Sequence, residues 1–282
     1  MAGEETGSRA LALEVLAVPN DGFMSDQPTN ATIVGTDEVF IVDPGDKAGV
    51  AIVQEALAAR GTVRVKAIVL THSHPDHAVA APELGRIYGC PLMLNPKERP
   101  VLRQFLNWSD IDLPLTGGMT LTVDGGRLET LDTPGHSPGH VALYEPVSRT
   151  LIAGDLVSGH GTVGIFPPHG KMIEYFDSLE RARRLDARAI IPGHGPAMTQ
   201  PPDIFARYIE RRSMREREVY AVVAREPATI EAMIPELYPE VSPHFRRAAG
   251  ATILAHLEKL RTEGRVTPDA DDPAIARWRA HE

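Results

Sequence analysis

Three imidazoles and a carboxylate crowd into the run His72-Ser73-His74-Pro75-Asp76-His77, directly after the β-branched, aliphatic stretch Val65 to Leu70. Residues two apart at the end of a strand point to the same side, so His72 and His74 can meet one metal ion from a single rigid edge. Pro75 breaks the extended run, and Asp76 and His77, in the turn before a helix, can face a second ion close by. Three further candidates stand beside glycine after predicted strands: His136 in Thr133-Pro134-Gly135-His136, Asp155 in Ala153-Gly154-Asp155, and His194 in Ile191-Pro192-Gly193-His194-Gly195. Glycine lets the backbone turn tightly there while the neighbouring side chain reaches a cleft.

These residues resemble the metallo-β-lactamase superfamily, whose HxHxDH motif is matched by His72, His74, Asp76 and His77 as they stand. His136, Asp155 and His194 follow in the family's order, and the resemblance spans roughly residues 10 to 200. It implies an α/β fold, an αββα sandwich over residues 1–200. It also implies that His72, His74 and His136 hold a first metal, that Asp76, His77 and His194 hold a second, and that Asp155 bridges both. Class B β-lactamases generally lack that bridging aspartate, so antibiotic hydrolysis is not expected. Thr29-Asn30, the Asp43-Pro44-Gly45 turn and a helical C-terminal part look most like the lactamase-beta-2-like branch, which includes ribonucleases and thioesterases. That likeness implies a small, mainly helical, winged-helix-like domain over 201–282. Many relatives follow the motif with paired glycines; here stands Ala78-Val79-Ala80-Ala81, a difference at the cleft floor that leaves the ligand set intact.

Imidazole and carboxylate are the ligands of catalytic zinc, and a bridging carboxylate offsets the repulsion between two cations. Two Zn²⁺ per chain are therefore expected, with Mn²⁺ or Fe as alternatives that nitrogen and oxygen donors also accept. Water shared by two such ions is acidified toward a pKa of about 7, giving a hydroxide nucleophile, while the ions polarise the attacked carbonyl or phosphoryl oxygen. Asp76 and Asp155 are the candidate catalytic carboxylates, Asp76 also orienting the nucleophile.

The elements that must position these residues alternate in the first two-thirds of the chain. Strands are read at Leu11 to Val18, Ala31 to Val34, Val39 to Val42, Val65 to Leu70, Pro91 to Leu94, Gly118 to Val123, Arg127 to Asp132, His140 to Tyr144, Thr150 to Ile152 and Arg188 to Ile191. Helices are read at Ala48 to Arg60, Ala78 to Tyr88 and Met172 to Leu185. Hairpins mixed with crossovers fit sheets layered between helices. The character changes at Pro201-Pro202, after which Asp203 to Arg217 or beyond, Thr229 to Tyr238 and Pro243 to Thr262 read as helices closed by a short β element at Arg265-Val266-Thr267.

The 282 residues, 43% hydrophobic and 24% charged, are of globular composition. The single Cys90 excludes an internal disulfide and thiolate-only zinc sites and suits a reducing, cytoplasmic location. The opening residues lack a long apolar core, so no signal peptide is read, and no apolar run is long enough for a membrane span. A net charge of −9 argues against broad binding to a phosphate backbone.

Other residues invite two readings each. Asp43 could fix a ligand imidazole through its second nitrogen or only make a turn. His140 reads as structural, and His160 and His169 lie in Leu156 to Gly170, a loop that could line a substrate pocket. Cys90 is explained by its small size. The arginines of Arg207 to Arg217 read as a solvated, salt-bridged helix face.

For the substrate, the basic-free loop 156–170, with Val163, Ile165 and Phe166, favours a small-molecule acyl group: an ester, thioester or lactone. The insertion Asn95 to Trp108, with Lys97, Arg99, Arg103, Phe105 and Trp108, would suit single-stranded RNA and an endoribonuclease. A non-catalytic DNA-binding reading finds too few basic residues in Pro243 to Leu260. No membrane partner is expected, and assembly as a homo-oligomer stays open.

Overall fold

The computed structural model describes residues 9–21, 27–106, 108, 110–199 and 203–281, in two compact units. The first unit takes Met1–Thr133, Gly139–Thr162 and Arg184–Pro202; the second takes Pro134–Pro138, Val163–Arg183 and Asp203–Glu282. Pro201-Pro202, where the sequence changes character, lies outside the described residues.

The first unit holds two mixed six-stranded sheets. One runs β1 (Leu13–Val18), β2 (Thr29–Gly35), β3 (Glu38–Val42), β4 (Arg64–Val69), β5 (Leu92–Leu94), β6 (Leu113–Pro114) in spatial order, antiparallel up to β3 and parallel thereafter. The other is formed by β7 (Thr120–Val123), β8 (Gly126–Asp132), β9 (Val141–Glu145), β10 (Thr150–Gly154), β11 (Ala189–Pro192) and β12 (Met198–Thr199), with β10 and β11 parallel. Parallel neighbours need a crossover, which α1 (Ala48–Ala59) supplies between β3 and β4. Edge strand β7 alternates exposed and buried residues, whereas β9 and β10 are buried on both faces.

Side chains of both sheets, among them Val34, Phe40, Val42, Val69, Leu128, Leu143, Ile152 and Ile191, form one buried cluster between them. Ile33, Ile41 and Ile68 face the other way and pack with Val53 and Leu57 of α1 and Leu84 of α3 (Ala81–Tyr88). The helix read from Ala78 to Tyr88 is two pieces, the single turn α2 (Pro75–Ala78) and α3. Pro82 explains the break: lacking an N–H, it is tolerated in a first turn but not in a helix interior. The insertion contains α4 (Arg99–Phe105), which the sequence reading did not separate, again opened by a proline in its first turn.

The second unit contains α5 (Met172–Arg183), α6 (Ile204–Arg225), α7 (Ile230–Leu237) and α8 (Arg246–Thr262), with a three-stranded antiparallel sheet ordered β13 (Ala228–Thr229), β15 (Arg277–Ala280), β14 (Val266–Pro268). Its core joins Val219 and Val223 to Met233, Ile234, Ile253, Leu257 and Leu260, and is completed by the fully buried Trp278. The indole Nε1–H of Trp278 donates to Pro273 O at 3.0 Å. Strand β15 escapes a sequence reading because it is four residues long and Trp278 is its one deeply buried side chain.

Leu143 is wholly buried between the sheets. Leu143→Ala is expected to destabilise the first unit by about 2–5 kcal/mol, read as a lowered midpoint in denaturant unfolding.

Candidate metal centre

The candidate ligands of the first unit leave the sheets at strand ends. His72 and His74 follow β4, Asp155 follows β10 and His194 follows β11. Asp76 and His77 lie on α2, whose first residue is Pro75. All but Asp155 and His74 are buried.

Asp43, just past β3, takes a left-handed backbone conformation (φ 46) that aspartate tolerates better than most residues. Its Oδ1 accepts the backbone N–H of Thr71 at 2.7 Å, and its Oδ2 accepts the Thr71 hydroxyl at 2.6 Å. The same Oδ2 lies 3.0 Å from His77 Nδ1, so that nitrogen carries the proton and Nε2 presents its lone pair inward. Because the Thr71 hydroxyl donates to Asp43, it can only accept from His72 Nδ1, 3.0 Å away. His72 is thereby held with Nε2 inward too. Of the two sequence readings of Asp43, the orienting one matches the geometry.

His194 is fixed in the same way, Nδ1 donating to Pro28 O at 3.1 Å. Its Nε2 then lies 3.3 Å from His77 Nε2, 3.3 Å from Asp76 Oδ2 and 3.6 Å from Asp155 Oδ1; Asp155 Oδ1 is also 3.6 Å from His77 Nε2. Two imidazole lone pairs and two carboxylate oxygens aimed at one another repel unless a cation lies among them. The buried Asp76 Oδ1 has no hydrogen-bond partner among the described residues. This donor set fits a divalent metal ion. Beside it, His72 Nε2 and His74 Nδ1 approach to 3.0 Å, and the rings of His72 and His77 are 4.3 Å apart.

The charge balance points the same way. Burial works against a charge on His77, but Asp155, Asp43 and Asp76 outweigh it and push the imidazole up to about 10. Burial likewise opposes the charge on His194, and Asp155 and Asp76 raise it. Burial alone would raise the Asp76 carboxyl; His77 and His194 hold it below the usual carboxylate range.

The roles of several supporting residues were not legible in the sequence. The fully buried Glu98 accepts Ser73 N–H at 3.0 Å and the Ser73 hydroxyl at 2.6 Å on Oε2, and Gly139 N–H at 2.6 Å on Oε1. It thus pins the residue between His72 and His74 from a turn whose one local signal is Asn95, which caps Lys97. Thr29 Oγ1 donates to Asp76 O at 2.7 Å, and Asn30 Nδ2 donates to Pro192 O and Gly195 O on either side of His194. His140 Nε2 accepts the backbone N–H of Asp155 at 3.0 Å, leaving Nδ1 to donate to Thr133 Oγ1 at 2.7 Å, so it braces a candidate ligand, in keeping with the structural part read from the sequence. Gly193 is required by close approach: a Cβ there would lie 2.2 Å from Asp155 Oδ1.

His136 belongs to the second unit, where its Nδ1 lies 2.7 Å from Gly164 O and therefore carries the proton. Val163 and Ile165 of the 156–170 loop are core residues and Phe166 is exposed, because a buried loop segment packs its apolar side chains inward. His160 is exposed. Arg212 is not on a solvated helix face: it is 5% exposed and donates to Val163 O.

A cleft of about 250 Å³ opens at Asp76. Its apolar walls are Pro75, Val79, Phe105 and Leu106, and its polar residues are Asp21, Asp46 and Lys47. Phe105 meets His74 edge-on at 6.1 Å, linking this wall to the histidine motif. Another hollow, about 450 Å³, is lined by residues 63–66 and 88–91 and carries none of the candidate ligands. Cys90 lies there, its thiol pushed up by burial and so unreactive.

Two mixed sheets with converging histidines and aspartates at their strand ends, followed by a winged helix, define a metal-binding hydrolase class. Residues 24–194 match the model of the metallo-beta-lactamase superfamily, and residues 229–278 match the beta-lactamase associated winged helix domain. The chain belongs to the metallo-beta-lactamase superfamily, and it is a hydrolase. It is 30% identical to an atrochrysone carboxyl ACP thioesterase of Aspergillus fumigatus over 75% of this chain and 65% of the relative's length. It is 29% identical to a beta-lactamase-like protein 2 homolog of Drosophila melanogaster, over 90% of this chain and 89% of that one. The crystal structure of a metallo-beta-lactamase family protein from Thermus thermophilus superposes with a TM-score of 0.79 at 26% identity, covering 95% of this chain and 98% of that one. The α/β class and C-terminal winged helix expected from the sequence are those of the chain.

Asp43→Asn leaves one oxygen where two must accept, and is expected to weaken metal binding by about 10–100-fold in chelator competition. The pH dependence has a defined sign. The folded-state pKa of His77, about 10, lies above its ordinary 6.5, so in chelator-treated protein its contribution is full below pH 6.5 and is lost as pH rises toward 10. Thermal scans across that window should show the treated protein losing stability relative to a metal-loaded sample.

Proposed function

We propose that the chain is a dinuclear, zinc-dependent hydrolase of a small, uncharged ester, thioester or lactone. The observation that carries this reading is the convergence of Asp76 Oδ2, His77 Nε2, His194 Nε2 and Asp155 Oδ1 at 3.3–3.6 Å, with both Nδ1 atoms tied to fixed acceptors. Asp76, His77 and His194 would hold one ion, His72, His74 and His136 the other, with Asp155 between them. Metal bound there supplies Lewis acidity, activating water and polarising the scissile carbonyl.

The protein's own groups do the rest. Asp76, which borders the cleft and whose Oδ1 has no hydrogen-bond partner among the described residues, would accept a proton from the attacking water. Pro75, Val79, Phe105 and Leu106 exclude water and seat an apolar acyl group. Asp21, Asp46 and Asp76 set three carboxylates against the one ammonium of Lys47, a balance that repels a phosphodiester backbone and suits an uncharged substrate. The exposed Lys97, Arg99 and Arg103 lie on or beside α4 and do not line the cleft. The thioesterase name of one relative is consistent with an acyl substrate. Among the described residues no helix is long and apolar enough to cross a membrane, and with the buried Cys90 this supports a cytoplasmic location.

The test is metal analysis of purified protein, then assays with thioesters, esters, lactones, an aryl phosphodiester and single-stranded RNA. About two equivalents of zinc and acyl hydrolysis are expected, with His72→Ala and His194→Ala each lowering kcat/KM by at least about 10²-fold. RNA cleavage with inert acyl esters would make the chain a ribonuclease, and activity indifferent to both substitutions would overturn the site.

A further inference from the structure

The second unit buries a guanidinium. Arg212, in the middle of α6, is 5% exposed, and its Nε has no hydrogen-bond partner among the described residues. A guanidinium costs free energy to desolvate, and leucine or methionine would fill the same space without that cost. What Arg212 does make is specific. Its Nη2 donates to Val163 O, and its guanidinium carbon lies 5.5 Å from the centre of the Tyr175 ring.

Both contacts lead to His136. The carbonyl next to Val163 O along the chain is Gly164 O, the acceptor 2.7 Å from His136 Nδ1. Tyr175 stands against Gly135: a Cβ there would lie 2.4 Å from Tyr175 Cα, so residue 135 must be glycine for the loop to seat. The loop is also gripped by its backbone. Lys171 N–H donates to Gly135 O at 2.7 Å, and Ser178 Oγ donates to Pro134 O at 2.6 Å. Helix α5 thus fixes the base of the 134–138 loop, and segment 163–164 fixes the ring it carries. Arg212 is the residue of α6 that engages both supports.

We propose that Arg212 is a positioning residue for His136: by holding Val163 O and Tyr175 it sets the Gly164 carbonyl that selects the His136 tautomer and aims Nε2. The long helix leading into the winged-helix region thereby has a task in orienting His136. This rests on the reading of His136 as a metal ligand.

The experiment titrates zinc into chelator-treated Arg212→Met and Arg212→Lys, with native protein, His136→Ala and His194→Ala as references, and reads the affinity of each site. Arg212→Met is expected to keep one site at native affinity and weaken the other by about 10–100-fold, matching the site lost in His136→Ala. Arg212→Lys should recover part of the loss, since it keeps the charge but only one point of attachment. Imidazole ¹⁵N spectra, with the His136 signals assigned by substitution, should show the Nδ1-protonated form depleted in Arg212→Met. Native affinity at both sites, or equal weakening of both, overturns the proposal, as does an unchanged His136 tautomer. If Arg212→Met does not fold, Arg212→Lys decides on the same readings. If His136→Ala itself keeps both sites, the ligand assignment fails instead, and the two failures are distinguishable.

Discussion

A single carboxylate, Asp43, is the constraint on which the centre depends. Accepting twice from Thr71 and once from His77, it settles the protonation of two imidazoles, one directly and one through the Thr71 hydroxyl. An imidazole that could flip or change tautomer would present an N–H half the time, and an N–H cannot bind a cation. Asp43 occupies the left-handed region to do this, one residue past the end of a central strand whose last pair with β4 is Val42 with Val69, so that its side chain meets Thr71 two residues beyond β4. The local strain of that conformation is offset by the hydrogen bonds Asp43 accepts there.

From that fixed geometry the electrostatics follow. Carboxylates and nitrogen lone pairs forced within 4 Å of each other make a strongly negative, largely dry hollow, in which protons or metal ions must supply positive charge. The same excess of carboxylates extends to Asp21 and Asp46 along the cleft. On the function proposed above, a site that concentrates cations this way would repel a polyanion, and the apolar wall of Pro75, Val79, Phe105 and Leu106 would suit an acyl chain.

The C-terminal region contributes structure more plainly than binding surface. Of its basic residues, Arg246 pairs with Glu231, and Lys259 with Glu216 and Glu263. Glu216 and His256 form a buried polar cluster near Arg212 in a helical unit otherwise packed by aliphatic side chains and Trp278.

The sequence by itself determined the α/β class, the winged helix and the ligand candidates, because motif spacing is a local property: strand periodicity aligns His72 with His74, and Pro75 starts the turn of α2. It did not separate α2 from α3, find α4 or foresee β15, whose signals are short. Asp43 was half legible, as a turn that could also orient a ring. Glu98 and Arg212 were not legible, Arg212 even reading as solvated, and Thr29-Asn30 was legible as a family feature but not in its role, because each acts on a residue 25 or more positions away. Which nitrogen of each histidine faces inward, and which carboxylate holds a ring in place, were decided by tertiary structure alone, since hydrogen-bond partners distant in sequence are fixed only when the sheets and helices pack.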